Sequence, residues 1–218
     1  MAGLFITFEG IDSCGKTTQA RGLASYLRRM GFGVLLTREP GGDRISEKIR
    51  RILLSKTNSE MTDLTELLLY EAARAQLTER IIRPALRQGK IVVCDRYADS
   101  SLAYQGYGRG LKKAMVKDLN RTATLGLVPD LTILIDVPVR ISLSRKRKEK
   151  TKKDRLEKER LEFHQRIREG FLTIARQNRR RVRVIDGRED IEGTWRKVKK
   201  VVESFLEKSN RSPKRPRR

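Results

Sequence analysis

Apolar residues along this chain alternate between two regimes. Short runs at 5–8, 34–37, 91–94, 131–135 and 182–185 are rich in Ile, Leu, Val and Phe, with Thr7, Thr37, Thr132 and Arg183 as their polar members. Runs of that length and composition predict strands covered on both faces. Between them, apolar positions recur at helical spacing over 20–30, 45–54, 64–86, 112–125, 140–148, 155–177 and 191–208. Strands separated by amphipathic helices predict an α/β chain, with five parallel strands in one sheet and helices on both faces as three layers. Two stretches carry no such pattern. Residues 146–153 read Lys-Arg-Lys-Glu-Lys-Thr-Lys-Lys, and residues 209–218 read Ser-Asn-Arg-Ser-Pro-Lys-Arg-Pro-Arg-Arg. The first predicts a short basic lid or linker (about 145–156), the second a disordered tail beyond a single domain of residues 1–208.

The first strand run is followed by Gly10-Ile11-Asp12-Ser13-Cys14-Gly15-Lys16-Thr17 and then by a helix. Gly, four residues and Gly-Lys-Thr in that context form a phosphate-binding loop, which narrows the architecture to the P-loop NTPase fold. The glycines let successive N–H groups curl around phosphate oxygens, and the helix adds its positive end. Lys16 is placed to reach the outer phosphates, and the Thr17 hydroxyl to ligate Mg²⁺.

Charge changes the picture only partly. The 218 residues carry 50 Lys+Arg against 27 Asp+Glu, a net +23. The excess is concentrated late: residues 140–218 hold 29 basic and 12 acidic side chains. A basic half is able to meet polyanions, nucleic acid or acidic membrane included; the plainer reading is a solvated surface with a basic mouth over a phosphate site. Two cysteines make no disulfide framework, and no apolar run approaches the roughly 18 residues of a membrane span. The start of the chain is short of a secretory apolar segment. A soluble, cytoplasmic protein is expected.

Further along stand Thr37-Arg38-Glu39-Pro40-Gly41-Gly42, Thr65-Glu66-Leu67-Leu68-Leu69, Asp95-Arg96-Tyr97, Ser100-Ser101-Leu102-Ala103-Tyr104-Gln105-Gly106, Pro129-Asp130-Leu131-Thr132 and Asp154-Arg155. In this order and at these spacings, after the phosphate loop, they resemble the thymidylate kinase family, and the resemblance runs from about residue 5 to 195. It implies a nucleoside-monophosphate kinase that uses ATP and Mg²⁺ to convert dTMP to dTDP, as a homodimer, with nucleic acid not expected as a substrate.

Arg38 and Arg96 follow the second and third strand runs. Strand carboxyl ends converge on the ligand crevice, so both guanidinium groups are candidates for the acceptor phosphate, with surface ion pairs as the alternative. Asp95 is placed like a carboxylate that holds Mg²⁺ through water, alongside Thr17; a structural role remains open. Tyr70 and Arg74 are four residues apart on one helix face. A ring there offers a stacking platform, and an arginine can only donate, which suits thymine O4 and opposes the cytosine amino group. Against that stands a core aromatic beside an exposed arginine.

The resemblance supplies the remaining roles. Asp12 accepts from the sugar 3′-hydroxyl, Ser100 lies near the base N3 edge, Tyr104 crowds the 2′ position and Gln105 joins them. Gly10 to Thr18 and Arg145 hold the donor nucleotide, with Ile11, Ser13, Cys14, Gly15 and Thr18 completing the loop. The loop lacks an arginine, so the transition-state cation must come from the lid, from Arg145, Arg147 or Arg155, of which Arg155 belongs to the matching Asp-Arg pair. Lys16, Arg96, Arg155 and Asp12 form the expected catalytic set. Asp43 stands where the family has Thr, with an expected weakening of the local hydrogen bonding. The rival readings are a kinase for dUMP or dCMP, a P-loop ATPase whose basic half binds nucleic acid, and a silent nucleotide binder.

Overall fold

The protein is described from a computed structural model, which covers residues 3–148, 156 and 159–209. Residues 149–155, including Arg155 and most of the expected lid, and residues 210–218 of the expected tail lie outside the described set.

Five strands form one sheet: β1 (Leu4–Glu9), β2 (Val34–Arg38), β3 (Ile91–Asp95), β4 (Leu131–Asp136) and β5 (Val182–Asp186). Their order is β2-β3-β1-β4-β5 and every pairing is parallel. The central strands are buried almost throughout because both faces are covered. Alternation along β1 and β3 sorts the core. Phe5, Val92 and Cys94 pack with Leu77, Ile82 and Ala85, whereas Ile6, Phe8, Ile91 and Val93 join Leu23, Leu27, Val198 and Val202.

The helices are α1 (Lys16–Arg29), α2 (Arg44–Leu54), α3 (Asp63–Leu77), α4 (Arg83–Arg87), α5 (Ala98–Ser101), α6 (Lys113–Ala123), α7 (Val139–Lys148), α8 (Leu161–Gln177) and α9 (Ile191–Lys208). The apolar period at 64–86 is realised as α3 and α4, joined without a break by a wide turn, Thr78–Ile82. Pro84 accounts for that widening, since its ring would meet the carbonyl of residue 80 in a regular helix. The expected helix at 155–177 begins instead at Leu161. One element has no counterpart in the apolar periodicity: α5 and the wide turn Leu102–Gly108 that continues it.

Asp43, far from weakening its loop, caps α2: its side chain accepts from the Ile45 N–H at 2.8 Å. At the carboxyl edge of the sheet, Phe8, Asp95 and Arg38 share one register row. This row sets the phosphate loop beside the ends of β2 and β3.

Candidate active site

The loop from Gly10 to Gly15 joins β1 to α1. Gly10 has φ 141°, and a Cβ there would lie 2.5 Å from the Ile135 carbonyl oxygen and 2.8 Å from the Cys14 sulfur, so only glycine fits. Cys14 is buried packing of that turn, with its thiol raised by burial. α1 then starts with no side-chain cap and no acidic residue in its first turn, whereas Asp43, Thr62 and Asp190 cap α2, α3 and α9. A helix start without a cap or an acidic first turn suits an anion. Lys16 is buried beside it, with Nζ 3.3 Å from the Ile11 carbonyl and 3.9 Å from the Asp12 carboxylate. Thr17 and Thr18 are exposed at the helix start.

Thr17 donates its hydroxyl to Asp95 Oδ2, while Asp95 Oδ1 is buried without a partner. A hydroxyl, a carboxylate with an unused oxygen and nearby phosphates suit Mg²⁺, which prefers oxygen ligands and few protein groups. Among the described residues no cluster of three or more His, Cys, Asp or Glu forms a protein-only metal cage.

Next to the loop opens a cleft lined by Asp12, Pro40, Arg50, Tyr70, Arg96 and Tyr104, with Glu39, Ser100, Ser101, Gln105 and Leu156 around them. Arg96 adopts φ 71°, a left-handed conformation that costs a bulky residue roughly 1–3 kcal/mol and clusters at functional sites. Its Nη1 donates to the Gly10 carbonyl at 3.0 Å and to Ser100 Oγ at 3.1 Å. Its Nη2 donates to Asp12 Oδ1 at 2.5 Å and to the Tyr104 hydroxyl at 2.9 Å. Tyr104 in turn donates to Asp12 Oδ2 at 2.8 Å, and its ring lies under the guanidinium at 4.9 Å. Burial would raise the Asp12 carboxyl, but Arg96, Lys16 and the Tyr104 hydroxyl outweigh it and hold it well below the usual range. Ser100 is turned inward, donating at 2.6 Å to Glu9, whose carboxyl is pushed up to about 8 by burial and by Asp99.

The expected residues therefore do not all meet. Arg38 pairs with Glu47 at 3.0 Å and lines a separate groove with Thr17 and Asp95, not the Arg96 cleft. Arg50 of α2 stands in the cleft instead, its Nη1 held by the Pro40 carbonyl at 2.8 Å. Burial, then the nearby Arg38 and Arg96 charges, press on its protonated form, partly offset by Glu47. Arg50 shares the inward face of α2 with Ser46 and Leu53, and that spacing is its only sequence signal.

Arg74 is the second departure. It is 1% exposed and does not line the cleft. Its Nε donates to Glu39 Oε2 at 2.8 Å, and its Nη1 reaches Glu71 at 2.7 Å, Ser101 at 2.9 Å and Asn120 at 2.6 Å. Nη2 reaches the Tyr97 carbonyl at 3.1 Å. The guanidinium is a pillar beneath the floor, and the serine it touches, Ser101, faces the cleft. The Glu39–Pro40 peptide beside it is cis. Tyr70 lines the cleft as expected; Gln105 lines it too, donating at 2.8 Å to Glu66.

On the donor side, Arg145 of α7 donates to the Gly187 carbonyl at 2.8 Å and the Glu189 carbonyl at 3.1 Å, with a longer contact to the Cys14 carbonyl at 3.4 Å. Arg147 lines a neighbouring pocket with Asp12, Ser142 and His164. His164 is buried with Nε2 unpartnered, and Trp195 packs edge-on against Tyr26 at 5.7 Å, as a packing residue of α9.

The sequence profile of the thymidylate kinase family matches residues 8–198. A thymidylate kinase of Thermoanaerobacter sp. (strain X514) is 46% identical over 206 residues, covering 94% of this chain and 100% of the relative. That of Geobacter sulfurreducens is 47% identical over 218 residues, covering 98% and 100%. Among solved structures, the thymidylate kinase of Ehrlichia chaffeensis superposes with a TM-score of 0.76 at 38% identity, covering 93% of this chain and 99% of that one.

Proposed function

The chain belongs to the thymidylate kinase family, and from that premise we propose that it transfers the terminal phosphoryl group of ATP to dTMP, giving dTDP, with Mg²⁺ held at Thr17 and Asp95. The observation that supports this reading is the juxtaposition, across Asp12, of two cationic places suited to phosphate. On one side lies the uncapped start of α1 with Lys16; on the other lies the cleft with Arg96 and Arg50. Phosphoryl transfer needs little covalent help from protein, so positioning and charge are the main requirements.

The loop amides and Lys16 bind the donor phosphates. Arg96 and Arg50 receive the acceptor phosphate, and the spare Nε–H of Arg96, which has no acceptor among the described residues, is a donor for it. Asp12 and Tyr104, locked to Arg96, face the sugar, and Tyr70 stacks on the base. The Ser101 hydroxyl accepts from Arg74, which leaves its own proton for a base acceptor; Ser100, tied to Glu9, is a poorer candidate than its neighbour. Thr17 and Asp95 would hold Mg²⁺, which would supply charge neutralisation for the transferring phosphoryl group. Arg155, outside the described residues, remains the proposed lid cation, with Arg145 committed to the carbonyls around Gly187. Arg155→Ala is expected to lower kcat far more than it weakens dTMP binding.

A homodimer is supported by the apolar residues Ile45, Ile52, Leu64 and Leu68, exposed along the neighbouring helices α2 and α3. Among the described residues no helix is long and apolar enough to cross a membrane. Both cysteines are free, in keeping with a reducing compartment and a cytoplasmic setting. ADP release coupled to a detector, run with dTMP, dUMP, dCMP and UMP and separately with DNA, tests the whole reading. Release driven by dTMP is expected; a dTMP signal no greater than that of water would overturn it.

A further inference from the structure

α6 carries a buried stripe of Val116, Asn120 and Ala123, spaced as one helix face. A buried asparagine between two apolar neighbours is costly unless its amide is bonded on both sides. Here it is. Asn120 Oδ1 accepts from Arg74 Nη1 at 2.6 Å, and Nδ2 donates to the Ala98 carbonyl at 3.1 Å. One side chain on α6 thus ties α3, through Arg74, to α5, through Ala98. α5 is the four-residue element that presents Ser100 and Ser101 to the acceptor cleft, and it has no side-chain cap of its own.

The bond count shows what Asn120 adds. Arg74 Nη1 has two hydrogens and three acceptors, Glu71, Ser101 and Asn120, of which Asn120 is the nearest. Asn120 therefore anchors Nη1 to α6 by the shortest of its three bonds. Ser101 is left with a shared, weaker donor and a hydroxyl free to serve the base. Without Asn120 the guanidinium has no anchor on that side, and the Ala98 carbonyl loses its side-chain donor.

We propose that Asn120 is a positioning residue for the acceptor site, fixing Arg74 against α5 so that Ser101 and the floor of the cleft meet the base in one geometry. The inference rests on the dTMP reading above, because it concerns how that acceptor is held. It assigns Asn120 no contact with the acceptor and none with the donor nucleotide.

Steady-state kinetics of Asn120→Leu and Asn120→Asp test it. Leu fills the space and removes both bonds; Asp keeps the acceptor for Arg74. Asn120→Leu is expected to raise the KM for dTMP about five- to tenfold, which corresponds to about 1–1.4 kcal/mol at RT of 0.59 kcal/mol, while the KM for ATP and kcat stay within about twofold. Asn120→Asp is expected to recover most of the dTMP KM. A purely structural role would lower the melting temperature without splitting the two KM values. The proposal is overturned if Asn120→Leu leaves the dTMP KM unchanged, or raises both KM values alike. Should Asn120→Leu fail to fold, Asn120→Asp decides: a wild-type dTMP KM supports the proposal, and a KM raised as far as about tenfold overturns the acceptor role. Loss of dTMP-dependent turnover in the unmodified protein is a separate outcome, striking at the activity rather than at Asn120.

Discussion

Two buried arginines stand behind the ends of β2 and β3, and the protein treats them in opposite ways. Arg74 is enclosed: two glutamates, a serine, an asparagine and a carbonyl take every donor. Arg96 is half enclosed: Asp12, Tyr104, Ser100 and the Gly10 carbonyl occupy its two terminal nitrogens, and its remaining side lines a cleft. An arginine surrounded by acceptors is a structural tie, because no ligand can offer it more than it already has. One held along a single edge is pre-oriented, and its unfilled side is where an anion gains most. Charge balance separates them further. Around Arg74 two carboxylates share one guanidinium, leaving Glu39 Oε1 and Glu71 Oε2 without partners. Among the described residues the direct carboxylate of Arg96 is Asp12 alone, with Lys16 and Arg50 adding positive charge nearby.

The comparison breaks most decisively at Arg74. Arg74→Met should destabilise the fold by about 3–5 kcal/mol in urea unfolding, because it strands two buried carboxylates. Adding Glu39→Gln and Glu71→Gln to it should return part of that loss; no recovery would mean that the cage is not electrostatic. At Arg96 the balance reverses. Arg96→Ala should cut kcat/KM for dTMP by about 10²–10³, the usual price of removing one charge-stabilising donor, with a far smaller change in unfolding free energy than at Arg74. Equal stability losses at both positions would erase the distinction.

A pH series sharpens it. Burial, less the pull of Arg74 and with Glu71 alongside, pushes the Glu39 carboxyl up to about 7 from 4.5. The folded state then binds a proton that the unfolded state has released, so this contribution is complete below about 4.5 and is lost as pH rises toward 7. Glu9, pushed up to about 8, acts in the same direction over a slightly wider window. The melting temperature of Glu39→Gln should accordingly fall less than that of the unmodified protein between pH 5 and 7, in thermal scans at fixed ionic strength. Identical slopes would remove Glu39 as a titrating member of the cage. The smallest effect is expected outside both cages: Asp43→Ala should cost about 1 kcal/mol through the lost α2 cap and leave the dTMP KM within about twofold.

What could be read before the structure was local. The phosphate loop, the five strands and most of the periodic helices declare themselves locally and formed within a few positions of expectation, whereas the run at 64–86 is divided and α8 starts at Leu161. The stretch from Ala98 to Gly108 did not, because Ser, Gly and Ala buried on several sides leave no amphipathic period to detect. Arg74 was misread for a different reason. Helical spacing correctly puts it on the face of Tyr70, but its partners Glu39 and Asn120 lie 35 and 46 residues away, and nothing in its neighbourhood signals them. Arg50 went unnoticed because one arginine among several on α2 looks like a solvated face until the fold closes over it. Strand-end spacing put Arg96 at the cleft, but it also suggested Arg38, whose pairing with Glu47 depends on how α2 packs beside it.

The bare first turn of α1 has a bearing on handling as well as on catalysis. Amides that no side chain satisfies are a debt which any dissolved oxyanion can settle, and an anion that prefers the folded form raises its stability in proportion to RT ln(1 + [L]/Kd). Inorganic phosphate or sulfate in a storage buffer should therefore act as a thermal protectant and, in the same tube, as a competitor of ATP. The protein's shelf life and its apparent affinity for the donor are two readings of one helix end.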